Sequence, residues 1–196
     1  MIENVLTLKQ VTYKKKITIK TLISIGIVAM AVTLPMLVHL IAGNTGGMRW
    51  LPMYLPILIG GCLLGAKWGS AIAVISPLVS YFITLSTGTP MPSIERLPFM
   101  IAELVVFAIT CGLFSKNIMK NSLIVIPAVL LAEVLGRSVL MLLVVIFNEF
   151  TIFTPELIWE QIKTGLLALG LQAIIVPFIV ISLKCLLNKS NQNKNC

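Results

Sequence analysis

An all-α integral membrane protein with six transmembrane helices and both termini in the cytoplasm is the fold class this sequence predicts. Three observations carry it. Of 196 residues, 58% are hydrophobic and only 11% charged, against about 25% charged in soluble domains. Mean hydropathy is +1.01, more apolar surface than a soluble domain of this length keeps from water. A bilayer-spanning helix needs about 17–25 apolar residues, and such windows recur at about 18–42, 50–66, 69–87, 97–115, 122–148 and 163–187. A β-barrel is excluded, because its strands would alternate in hydrophobicity and not run apolar continuously.

The chain starts with MIENVLTLKQVTYKKK, too long and too mixed for a signal-peptide n-region. The apolar segment after it exceeds the roughly 7–15 residues of an h-region, so the first window reads as a retained span. Residues 1–17 form a cytoplasmic or interfacial segment, in which Ile2–Val11 has a short amphipathic pattern. The first outer connection holds Gly43, Gly46 and Gly47 and ends on Arg49 and Trp50. Windows two and three are short and separated only by Gly65-Ala-Lys-Trp-Gly69. After the third comes Ser86-Thr-Gly-Thr-Pro-Met-Pro-Ser93, a rigid Gly/Pro loop. The third outer connection runs from Asn148 to Lys163, where Thr154-Pro155-Glu156 opens a short interfacial helix. Thr caps, Pro suits the first helical position, and Glu complements the N-terminal dipole. The membrane domain spans 18–187, and the polar tail 188–196 reads as disordered.

Orientation follows from the lysines and arginines. With the N-terminus inside, the cytoplasmic face collects Lys9, Lys14, Lys15, Lys16, Lys20, Lys67, Lys116, Lys120, Lys184, Lys189 and Lys194. The outside keeps Arg49, Arg96 and Lys163, and Arg137 lies in the membrane. The +8 net charge is therefore membrane topology and no signal for nucleic acid. Composition and topology imply a multi-pass protein of a bacterial-type cell membrane. Cys62, Cys111, Cys185 and Cys196 have no CxxC spacing and fall toward the cytoplasmic half, so they read as packing thiols.

Ionised groups inside the apolar windows are the informative exceptions. Each charge near a bilayer centre costs about 2.5–3.5 kcal/mol on insertion scales, so such residues face partners or a water-filled cavity. Arg137 lies eleven residues below Asn148, about 16 Å deep from the outer end of the fifth window. Glu103 lies about 9 Å below Leu97, Gln172 about 14 Å below Lys163, and Glu133 about 22 Å below Asn148. At 100° per residue, Asn148 falls near Arg137 on one face, with Glu133 about 40° away. Arg96, Glu103 and Thr110, spaced by sevens, form one stripe on the fourth helix.

Helices four, five and six are thus expected to converge on an outward-facing pocket built from Glu103, Arg137, Gln172, Arg96 and Asn148. Trp50, Tyr54 and the 86–93 loop would be its lid, and Glu133 the counter-charge that supports Arg137. Simpler roles exist for each: an i, i+4 ion pair for Glu133 and Arg137, an interhelical hydrogen bond for Gln172, an aromatic belt for Trp50 and Tyr54, and an interfacial position for His39.

Catalytic chemistry finds little support. Glu133-xxx-Arg137 resembles the helix motif of CAAX-processing membrane proteases, but residue 132 is Ala where they have a second Glu, and His39 is the chain's one histidine. No Asp occurs at all, no metal-ligand cluster is visible, and there is no Walker A or dinucleotide glycine pattern. A small channel fits poorly, because the polar groups gather toward one side and do not line a continuous path.

The stretch Leu51–Gly69, LPMYLPILIGGCLLGAKWG, followed by Pro77, resembles the second and third helices of the S components of energy-coupling factor (ECF) transporters. These are their substrate-binding membrane subunits. Gly165–Pro177, GLLALGLQAIIVP, is similar to their last helix. The resemblance implies high-affinity binding of a vitamin or related micronutrient at the outer face, using helices four to six and the loops after helices one and three. It implies toppling in the membrane to release the substrate inside. The partners would be a transmembrane coupling subunit and two cytoplasmic ATPases, which use the ATP. This chain would bind no cofactor or metal itself. The family docks on its coupling subunit through Ala-xxx-Ala on helix one, and the nearest match here is Ala29-xxx-Thr33. An Arg and a Glu together suit a zwitterionic or carboxylate-bearing small molecule, with an aromatic part stacked on Trp50 or Tyr54.

Overall fold

Every regular element among the described residues is helical, as the continuous apolar windows require. The structure is a computed structural model and describes residues 13–50, 52–86, 88, 90–147 and 154–192, without the side chains of 13, 42–50, 119 and 186–192. The helices are α1 (Tyr13–Trp50), α2 (Tyr54–Leu64), α3 (Ala66–Leu85), α4 (Leu97–Lys120), α5 (Val125–Ile146) and α6 (Pro155–Gln192), with a 3-10 turn at Ser122–Ile124.

Five of the six are long and apolar enough to cross a membrane, so the chain has the make-up of a multi-pass membrane protein. α2 is the exception. Its 11 residues cover about 16 Å, short of a hydrocarbon core of about 30 Å. The expected second span, 50–66, is therefore a helix of 11 residues, shorter than a full span. It is apolar on all sides, and a helix of that kind belongs in an interior. Ten of its residues are buried, enclosed by α1, α3, α4 and α6. Ile57, Leu58 and Cys62 join Phe107, Ala108 and Cys111 of α4 in the main core.

α2 passes into α3 through a single residue, Gly65, at φ +85°, a conformation open to glycine alone at little cost. Gly112 of α4 lies so close to the backbone of Ala66 that a Cβ there would overlap it. The glycines of 60–69 thus mainly close α2, α3 and α4 on one another.

Two connections and the tail differ from expectation. α1 continues helical through 43–50, because glycine weakens a helix by about 1 kcal/mol but removes no N–H from its ladder. The interfacial helix at 154 and the sixth span are one element, α6. No Gly or Pro interrupts 156–164, so the ladder has no reason to stop. Its start is as expected: Leu157 N–H donates to Thr154 Oγ1 at 3.3 Å, ahead of Pro155 and Glu156. The same helix takes in 188–192 of the expected tail, while 193–196 and most of the N-terminal segment, 1–12, lie outside the described residues.

The loop after α3 is held down by that helix: Met91 N–H donates to Thr84 Oγ1 at 2.7 Å and Ser80 Oγ donates to Met91 O at 2.9 Å. At the end rich in lysine, Lys184 Nζ donates to Ile118 O at 3.1 Å and Ser122 Oγ at 2.8 Å. That ties α6 to the α4–α5 turn. Outward-facing side chains such as Leu22, Phe82, Leu113, Val134, Ile146 and Phe178 are exposed, an apolar surface suited to lipid.

Candidate functional site

Gly136 brings the polar residues together. The ring of Phe107 on α4 occupies the place a Cβ at 136 would take, so α5 settles directly on α4. The next residue, Arg137, then projects onto the Glu103 stripe. Arg137 Nη1 lies 3.0 Å from Glu103 Oε1. The other carboxylate oxygen, Oε2, accepts from the Tyr54 hydroxyl at 2.5 Å. The Arg137 guanidinium carbon sits 5.1 Å from the centre of the Tyr54 ring, within cation–π range. That ring meets Phe107 edge-on, at 5.0 Å and 75°.

Tyr54, Glu103 and Arg137 therefore form one cluster drawn from α2, α4 and α5. Their exposures of 2%, 1% and 6% put it out of contact with lipid. Only the guanidinium's Coulomb and ring contacts are made: Arg137 Nε, Nη1 and Nη2 form no aligned hydrogen bond among the described residues, nor does Glu103 Oε1. The pairing contact of Arg137 crosses between helices. Glu133, expected as its close partner one turn away, is buried, and its Oε1 accepts no hydrogen bond. An i, i+4 spacing puts two residues on one face, but a shorter interhelical contact was available at Glu103.

Beside the cluster, α4, α5 and α6 enclose a void of about 270 Å³, part of it open to solvent. Its polar lining is Arg96, Glu103 and Gln161. Phe99, Leu140, Val144 and Ile158 supply the apolar wall and pack as a small core of their own. The void lies where α4, α5 and α6 meet, at the end away from the lysine-rich turns.

Its membership differs. Arg96 and Glu103 line the void, whereas Arg137 and Gln172 are buried without lining it. Tyr54 is no lid but part of the interior, held by Glu103. Nor do the described residues of the 86–93 loop line the void. Asn148 and the side chain of Trp50 lie outside the described residues. Ala29 and Thr33 are both exposed on α1, and Thr33 Oγ1 donates to Ala29 O at 2.9 Å.

Sequence reasoning missed Gln161. A signal was present: Glu156, Glu160 and Lys163 share the outer face, with Lys163 Nζ 2.7 Å from Glu160 Oε1, while Ile158, Gln161 and Ile162 recur at helical spacing on the inner one. Among the described residues no three His, Cys, Asp or Glu side chains gather as a metal site would need.

No protein-family model, curated protein or solved structure matches this chain.

Proposed function

We propose that this protein is the substrate-binding membrane subunit of an ECF-type importer, taking up a vitamin-like small molecule from outside the cell. The observation that carries this reading is the Tyr54–Glu103–Arg137 cluster, buried to 6% exposure or less, beside a void that opens at the end away from the lysines. Charges that costly inside a membrane domain mark binding or transport paths. Beyond the cluster the buried interior is mostly apolar, with Phe107, Ala108 and Val129, and Thr110 and Glu133 are among its few polar residues. A one-ended pocket is the form a binding subunit needs, with transport driven by a separate coupling subunit and two ATPases. Orientation with both termini in the cytoplasm is part of the same proposal, resting on the lysine distribution. Ala29 and Thr33 on the exposed face of α1 are proposed as the coupling contact, since small residues let helices approach closely.

The test is retention and uptake. The protein is expressed in cells grown on rich medium, extracted gently and examined by native mass spectrometry. A stoichiometric small molecule, lost in Glu103→Gln while the variant keeps its unfolding temperature within a few degrees, is the expected result. A protein that carries nothing and gives its host no ATP-dependent uptake refutes the proposal.

A further inference from the structure

The void between α4, α5 and α6 has a chemistry of its own, distinct from the charge cluster behind it. Glu103 and Arg137 offset each other at 3.0 Å. Arg96 is then the one uncompensated charge among the lining residues, so the opening carries a net positive charge. Deeper in, Gln161 is 8% exposed, and its buried Nε2 donates to no acceptor among the described residues. A buried amide N–H without an acceptor is a cost that a ligand oxygen would remove. Glu103 Oε1 has no aligned donor either, and it suits a ligand N–H. The apolar wall of Phe99, Leu140, Val144 and Ile158 fits a hydrocarbon body. Arg96 and Glu103 stand seven residues apart on α4, two turns or about 10 Å. The void's volume of about 270 Å³ counts space open to solvent.

Resting on the binding-subunit reading, we propose that this site takes a small organic monoanion that carries an amide-type N–H and C=O as well as its carboxylate. Arg96 holds the carboxylate at the mouth, Gln161 Nε2 donates to the carbonyl, and Glu103 accepts from the N–H. Arg137 does not touch the ligand; it is a positioning residue that keeps the Glu103 carboxylate in place. This departs from the zwitterion suggested by counting Arg137 and Glu103 as separate ligand charges, because Arg137 already neutralises Glu103 and leaves it a neutral N–H to accept from.

The probe is pyroglutamate, a five-membered lactam with one carboxylate, compared with its uncharged amide by calorimetry on the full chain in lipid nanodiscs. Pyroglutamate is expected to bind at least about tenfold more tightly than the amide, as a charge-assisted contact implies. Arg96→Gln should erase that ratio, and Gln161→Leu should weaken both probes while leaving the ratio intact. A variant that merely loosened the fold would not change the ratio. Equal affinity for acid and amide, or no binding of either at millimolar concentration, overturns the inference. If a molecule co-purifies and its retention is indifferent to both Arg96→Gln and Gln161→Leu, the importer reading stands and this site assignment falls. If the probes behave as expected but no uptake occurs, the site stands and the importer reading falls.

Discussion

Removing Arg137 should cost more stability than removing Glu103, although the two share one contact. Glu103 is 1% exposed and holds the Tyr54 hydroxyl on one oxygen and Arg137 on the other. Arg137→Met takes away its ion-pair partner at 3.0 Å and leaves a buried carboxylate with a single neutral donor. Breaking a buried pair in this way costs about 3–5 kcal/mol. Glu103→Leu strands Arg137 in turn, but Glu133 sits four residues back on α5 with Oε1 unused. A turn of the guanidinium toward it recovers a charge-assisted contact, so the loss should be about 1–2 kcal/mol smaller. The double variant Glu103→Leu/Arg137→Met exchanges the pair for apolar side chains of similar size, which is commonly near neutral. It leaves the Tyr54 hydroxyl without its acceptor, about 1–3 kcal/mol, and adding Tyr54→Phe should remove that remainder. The assay is reversible unfolding in mixed micelles titrated with sodium dodecyl sulfate, run as a double-mutant cycle. The expected coupling energy is about 4 kcal/mol, and Glu133→Gln should make Glu103→Leu as damaging as Arg137→Met. Additive single effects, or Arg137→Met as the milder change, would show that the pair is not what holds these helices together.

Two glycines and one exposed face give further tests. Gly136→Ala meets the ring of Phe107, which can rotate, so thermal unfolding should register about 1–3 kcal/mol. Gly112→Ala meets the backbone of Ala66, which cannot, and should be clearly the more destabilising of the two in the same measurement. Ala29→Trp and Thr33→Trp both add bulk on an exposed stretch of α1; small-molecule retention by the purified chain should be unchanged, while uptake by whole cells should fall at least about tenfold if this face docks the coupling subunit. Uptake at the wild-type rate would place the docking surface elsewhere.

How far the residues announce the fold depends on what each element needs from its neighbours. α4 and α5 are legible because length, apolarity and a polar stripe are properties of one helix, and the periodicity of Arg96, Glu103 and Thr110 already names the inner face. The α6 start at Thr154-Pro155 is legible for the same reason: a cap is a local hydrogen bond. α2 is not, because an apolar run of its size reads alike as a short span or a buried core helix. The Gly65 turn and the packing of α3 and α4 around it settle which. Gln161 was hidden for a related reason: read as part of a loop helix it faces nothing, and only the continuous α6 turns it toward α4 and α5.

The sequence by itself determined that this chain is helical and apolar enough for a membrane, that its lysines gather at one end, and that Glu103 and Arg137 face inward. It also narrowed the convergence to helices four, five and six. Tertiary structure alone decided who answers whom. Glu133 and Arg137 are near in sequence, yet the absent side chain at Gly136 lets Phe107 through, brings α4 within reach, and hands Arg137 to Glu103. Spacing along a helix states which side a charge lies on; the distance of closest approach between two helices, set here by one missing methyl group, chooses its partner.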